Sequence, residues 1–382
     1  MTTTFNRIAA LAAGALIATA AQADAPSYSI VDLGVLGSGT AAQANGISPD
    51  GRIIVGRSIG TQYAAYTWTA QGGMVGLPNL SGRNFAVAYD VNDTGLAVGT
   101  SSTTAFGSSP LPVMWNNGAI SALTMPAGFT AGQAYGVNAA GVVAGAVGGG
   151  VSQRGALFVN GVGSVISATT ANGSFMTVAF GINDAGLVVG SGIDPGNAAV
   201  NVGLVYDSVT GVMTTVGALP GANGALNFGV SNSGYVVGSS MQNQGSGQSF
   251  IWSAAGGING IGLPPATSQG NARGVNDAGW AVGTAGGQFA VPYLYADGTT
   301  YALQSLLAAG SGWDLSANTS SSAMAISNDG TIVGTALHNG LTHAYAMRLT
   351  SPVPEPGSWA LMLAGLGLGI AVANHRQRHQ RR

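Results

Sequence analysis

Apolar positions along this chain fall in short runs divided by Gly, Asn and Asp, and one arrangement of them recurs. A β-branched residue and an Asn or Ser precede two turn residues and a Gly, and an apolar run then leads to a second Gly. It reads GISPDGRIIVG from Gly46, DVNDTGLAVG from Asp90, GVNAAGVVAG from Gly136 and GINDAGLVVG from Gly181. It returns as GVSNSGYVVG from Gly229, GVNDAGWAVG from Gly274 and AISNDGTIVG from Ala325. The seven β-branched residues, Ile47, Val91, Val137, Ile182, Val230, Val275 and Ile326, stand 44, 46, 45, 48, 45 and 51 positions apart, a period of about 45. Each phrase predicts a hairpin: the Ile or Val lies in one strand, the Asn-Asp-x-Gly corner turns, and the Val-Val-Gly run is the next strand. Asn and Asp bond back to the local backbone, and Gly takes the positive φ the turn needs.

A looser phrase follows each hairpin, centred on Trp68, Trp115, Phe158, Tyr206, Trp252 or Tyr295, with a Gly-containing turn and another apolar run behind it. Four short strands in about 45 residues match a propeller blade, whereas a β-solenoid rung is roughly half as long. The ends of the pattern are complementary. HAYAMRL from His343 supplies a third strand, with Met347 at the aromatic position, and no fourth follows; YSIVDLGVLG from Tyr28 reads as a fourth strand with nothing ahead of it. Pairing the two closes a ring and removes the exposed edge an open stack would carry. The expected fold is all-β: a seven-bladed β-propeller over residues 28–350, closed by its N- and C-terminal strands.

The two ends of the chain read as export signals. Arg7, the apolar run 8–20 and Ala21-Gln22-Ala23 form a signal peptide over residues 1–23, a cleavable helix, with a mature start at Asp24 or, second, Ala25. Residues 351–382 hold Pro354-Glu355-Pro356, an uncharged apolar stretch over 359–373, and the basic residues Arg376, Arg378, Arg381 and Arg382. As a helix that stretch covers roughly 22 Å, short of the roughly 30 Å of a bilayer core. Trp359 at one interface and the arginines at the other allow it to span, with the basic end cytoplasmic and the body outside. The two prolines keep the triplet extended and accessible.

Val353-Pro354-Glu355-Pro356, the short span and the Arg-rich end closely resemble the PEP-CTERM sorting signal of Gram-negative bacteria. The resemblance implies a membrane-embedded exosortase-type transpeptidase that recognises the triplet and removes the span, leaving the protein on the outer surface, often alongside exopolysaccharide in a biofilm matrix. His343-Ala344-Tyr345, with the recurring Gly-Ile-Asn-Asp phrase, resembles the HAF extracellular repeat. That likeness implies a surface location and no particular chemistry.

Composition narrows the partners. Residues 24–350 carry twelve Asp against six Arg, a net charge of −6, with no Glu, and the whole chain has no Lys. Such a body has no footprint for nucleic acid and no polybasic patch for anionic lipid. The 63 glycines and 6% charged residues would fit a low-complexity polymer, but 46% hydrophobic content points to a packed core. Without Cys, packing and backbone pairing must hold the fold.

Chemistry is sparse. The turn acids Asp50, Asp93, Asp184, Asp277 and Asp329 are calcium candidates by oxygen type; hairpin geometry is the stronger reading, since two copies lack the Asp and each site offers one carboxylate. His338 and His343 flank an Asn339-Gly340 turn with no third ligand evident in sequence, so no metal or cofactor is assigned. No serine elbow has a partner, and with Glu absent from the body only Asp remains for paired-carboxylate glycoside chemistry. The in-register aromatics belong to the core; Trp313, off-register in the insert 299–322, is the candidate surface contact. The expected protein is therefore an exported, non-enzymatic surface or matrix protein. Signal peptidase and an exosortase-type enzyme act on it at the inner membrane, and it binds exopolysaccharide or partner proteins; the alternative is a propeller enzyme acting on extracellular glycan.

Overall fold

A computed structural model describes residues 25–105, 109–241, 247–286, 288–316 and 318–351. The signal segment 1–23, the sorting residues Val353, Pro354, Glu355 and Pro356, the span 359–373 and Arg376, Arg378, Arg381 and Arg382 lie outside the described residues. No helix among the described residues is long and apolar enough to cross a membrane.

Short strands joined by turns make up most of the described residues of Ser27–Thr350. The first repeat runs through Ala41–Ile47, Ile54–Ile59, Tyr63–Thr69 and Gly73–Gly76, each strand antiparallel to the next. The next five repeats use the same order, and a single parallel bridge, Tyr63 to Phe85, joins the first two into one larger sheet. In the seventh, Ser322–Ile326 and Ile332–His338 are followed by Leu341–Ser351, which pairs with the N-terminal strand Ser27–Asp32. Bonds linking Ser27 to Thr350, Ser29 to Arg348 and Leu33 to Ala344 fix that pairing as antiparallel.

The third-strand aromatics sit opposite the second-strand apolar residue of their own hairpin: Trp68 faces Ile54, Phe158 faces Val143 and Met347 faces Ile332. Trp68, Trp115, Phe158 and Met347 are buried; Tyr206, Trp252 and Tyr295 are half-buried. Apolar clusters form between neighbouring repeats, as where Val98 and Leu123 of the second meet Ala134 and Phe158 of the third. Another packs Val333, Ala344 and Ala346 of the seventh repeat against Ala42, Ile47 and Trp68 of the first.

The recurring phrase has two structural causes that its turn chemistry alone does not explain. Every first strand carries a β-bulge, with the register slipping at Asn45, Tyr89, Tyr135, Phe180, Phe228, Arg273 and Met324. The bulge drives a first-strand carbonyl toward the second strand, and the last Gly of each phrase makes room for it. A Cβ at Gly99 would lie 2.0 Å from the Val87 oxygen, and one at Gly238 1.9 Å from that of Leu226.

The Asn of the turn does more than hold its own hairpin. The carboxamides of Asn92, Asn138, Asn183 and Asn276 donate to the carbonyls of Asn138, Asn183, Ser231 and Ser327, each in the next repeat. On the seventh turn the Asn328 N–H donates to the Pro49 carbonyl of the first. The turns are thus latched to one another as well as closed internally.

Candidate functional site

The seven bulge residues converge on one cavity. A cavity of about 220 Å³ is lined by the first-strand ends and turns of all seven repeats, with Asn45, Tyr89, Tyr135, Phe180, Phe228, Arg273 and Met324 facing it. A bulge turns one side chain out of the alternation of its strand, and here each repeat contributes one to the cavity. Tyr89, Tyr135, Phe180 and Phe228 form a continuous series with ring centroids 5.2, 5.3 and 5.5 Å apart. The Arg273 guanidinium caps it, 4.1 Å from the Phe228 ring. Burial lowers the Arg273 pKa, and among the described residues no carboxylate forms an ion pair with it.

Asp90 supplies the acid. It stands where five other repeats have Gly, at a point where neighbouring strands come so close that a Cβ on Gly46 would lie 2.5 Å from the Tyr89 oxygen. Its two oxygens accept the N–H groups of Val91 and Val137, both at 2.9 Å. Desolvation outweighs those bonds and pushes the carboxyl up to about 6. The signal was the Asp in DVNDTG where five other phrases begin with Gly; for the bulge residues it was an aromatic directly before the phrase in four consecutive repeats, at Tyr89, Tyr135, Phe180 and Phe228, with nothing shared by the other three.

Three of the five turn acids, Asp93, Asp184 and Asp277, are spent on the latch. Asp93 Oδ1 accepts the Asp50 N–H at 2.9 Å, Asp184 that of Ala139 at 2.8 Å, and Asp277 that of Ser233 at 3.0 Å. Asn232 and Asn328 take the same part for Asp184 and Asp277. Asp50 and Asp329 bind their own turns through Ser48 and Ser327. Asn and Asp thus tie neighbouring repeats together in addition to bonding back to the local backbone, as Asn92 and Asn183 do within their own turns. Among the described residues the turn acids do not gather into a group of three metal-ligating side chains.

One such group forms elsewhere. Asp32, His338 and His343 present ligand atoms all within 4.8 Å of one another. Asp32 Oδ2 lies 3.0 Å from His338 Nδ1 and 2.8 Å from His343 Nδ1, while its Oδ1 accepts the Gly34 N–H at 2.9 Å. Burial alone would raise the Asp32 carboxyl; the bonds from Gly34, His338 and His343 prevail and hold it below the ordinary carboxylate range. Asn339 and Gly340 both have positive φ, so a tight hairpin puts the two histidines diagonally on one face. Trp313, expected at the surface, is only 8% exposed. Its backbone pairs with His338 and its indole stacks on that imidazole at 4.5 Å and 6°. The insert containing it packs Leu303, Leu306 and Leu315 into the core instead of forming a binding loop.

Comparison with known proteins separates the tail from the body. Residues 352–377 match the PEP-CTERM protein-sorting motif. That motif implies export, membrane anchoring before processing, and processing by an exosortase-type system. No curated protein matches the sequence. The body resembles solved structures in fold only. A streptogramin B lyase structure aligns with a TM-score of 0.51 at 11% identity, covering 85% of this chain and 98% of that one. Virginiamycin B lyase from Staphylococcus aureus aligns at 0.50 and 12% identity, covering 84% and 99%. The fold is all-β and propeller-like; identities this low carry no activity across.

Proposed function

We propose that this is an exported, non-enzymatic surface or matrix protein that binds exopolysaccharide or a partner protein through its axial face. In this reading the signal 1–23 is removed and the body waits in the periplasm, held by the span 359–373. An exosortase-type transpeptidase acting at Val353-Pro354-Glu355-Pro356 then passes it to the outer surface. The body is a ring of seven blades with HAF-like repeats, sealed where Ser27–Asp32 joins Leu341–Ser351. Support for closure comes from the Asn328–Pro49 bond and from the apolar cluster shared by the seventh and first repeats.

The observation that carries the binding role is the axial series of four aromatic rings ending in Arg273. Aromatic faces stack on sugar rings, and a guanidinium held away from carboxylates suits an anionic substituent. Co-sedimentation of the purified protein with host exopolysaccharide tests it. Wild type should sediment with the polymer and Phe180→Ala with Arg273→Gln should not; equal binding by both would remove the axial face from the account.

The perturbed Asp90 favours a second reading, a propeller enzyme acting on extracellular glycan. Its two oxygens are both engaged by main-chain N–H groups, which supports a structural part for it. Glycan cleavage by wild type that is lost in Asp90→Asn would decide for the enzyme.

A further inference from the structure

We propose that Asp32, His338 and His343 form a divalent transition-metal site that clasps the N-terminal strand to the last hairpin. The inference is independent of the axial face and of what it binds.

The donor set fixes the class of ion. Two imidazoles and one carboxylate suit Zn²⁺ and its first-row neighbours, whereas Ca²⁺ and Mg²⁺ take oxygen. Ligands about 2.0–2.1 Å from a tetrahedral ion lie roughly 3.3–3.5 Å apart. The separations of Asp32 Oδ2 from the two Nδ1 atoms, 3.0 and 2.8 Å, need to open by only about half an ångström to reach that spacing. All three side chains are 18–29% exposed, enough for an ion to enter and for water to complete its shell.

The surroundings orient the ligands as metal sites do. The Gly34 N–H holds Asp32 Oδ1 and leaves Oδ2 toward the histidines. Trp313 fixes the plane of the His338 ring, and the Asn339 side chain lies 3.3 Å from its Nε2. Asp32 is 306 residues from His338 and 311 from His343. An ion bound here would close a loop almost as long as the body, where the entropic gain from a cross-link is greatest. In a chain without cysteine, it takes the place a disulfide would have.

The test uses the full chain in detergent, carrying His375→Gln and His379→Gln to remove the tail imidazoles, after dialysis against a chelator. ZnCl₂ should bind one per chain and raise the unfolding temperature, and CoCl₂ should give the visible absorption of a low-symmetry Co²⁺ site and quench Trp313 fluorescence. Asp32→Asn can still accept a hydrogen bond from an imidazole but loses the charge, so it should fold and bind Zn²⁺ at least tenfold more weakly. His343→Gln should lose the cobalt spectrum. Absence of stoichiometric Zn²⁺ binding, or equal binding by Asp32→Asn, would overturn the proposal and leave the cluster as a hydrogen-bonded latch.

Discussion

The side-chain amide of Asn183 donates to the main-chain carbonyl of Ser231 at 2.9 Å, across 48 residues of sequence and out of reach of solvent. Its Oδ1 simultaneously accepts the Leu187 N–H at 2.8 Å within its own turn. One residue thus closes its hairpin and ties it to the next repeat. Asn183→Ala should cost about 1–3 kcal/mol, because it removes two hydrogen bonds at once, the one to Ser231 fully buried. Denaturant unfolding measures it; a loss within about 0.5 kcal/mol, the usual range of a surface substitution, would deny the latch its role.

The bulge makes the last Gly of each phrase a steric requirement. Gly99→Ala would place a methyl 2.0 Å from the Val87 carbonyl oxygen, so strands must part or the bulge must be lost. Overpacking of this kind costs typically 1–3 kcal/mol or more. Gly149 has extended backbone and nothing within 4 Å of its Cβ position, so Gly149→Ala should be neutral. Thermal unfolding of the pair separates a steric effect from a general dislike of substitution.

Asp90 should leave a signature in pH. Its folded pKa, about 6, lies above the ordinary value of 3.8, so the folded protein holds the proton more tightly than the unfolded chain. Its contribution therefore favours folding most below about pH 4 and is lost as pH rises through about 6. Asp90→Asn cannot ionise, so its stability relative to wild type should improve between pH 4 and pH 7. A difference that stays constant over that interval would place the carboxyl in an ordinary, solvated environment.

Much of this was legible in the sequence, for physical reasons that also mark where legibility ended. The seven hairpins announce themselves because turns need Asn, Asp and Gly at fixed offsets. The partnership of the terminal strands follows from counting four strands per repeat. The aromatics at Tyr89, Tyr135, Phe180 and Phe228 were readable as a shared position, but their convergence on one cavity was not, because a bulge is a backbone event that spacing along the chain does not show. Asp32 was readable in principle. Pairing YSIVD with HAYAMRL puts its carboxylate beside His343, but spacing along the chain hides a ligand 311 residues away. Trp313 looked like a surface aromatic because it breaks the repeat; it breaks it in order to cover His338.

The terminal strand offers a test of closure. Removing residues 28–36 takes away Tyr28 and Leu33, both buried, and leaves the edge of Leu341–Ser351 unpaired. The deletion should lower the unfolding temperature and expose an edge prone to association. Unchanged thermal unfolding would mean that the strand is an accessory on which the fold of the body does not depend.

The central claim is that this propeller-like body is cargo, delivered by the tail that matches the sorting motif at residues 352–377. Fractionation of cells expressing wild type and a variant with Pro354, Glu355 and Pro356 all changed to Ala tests it most directly. Wild type should appear processed outside the inner membrane, while the variant should remain there unprocessed and at full length. Normal processing and release of the variant would contradict the account.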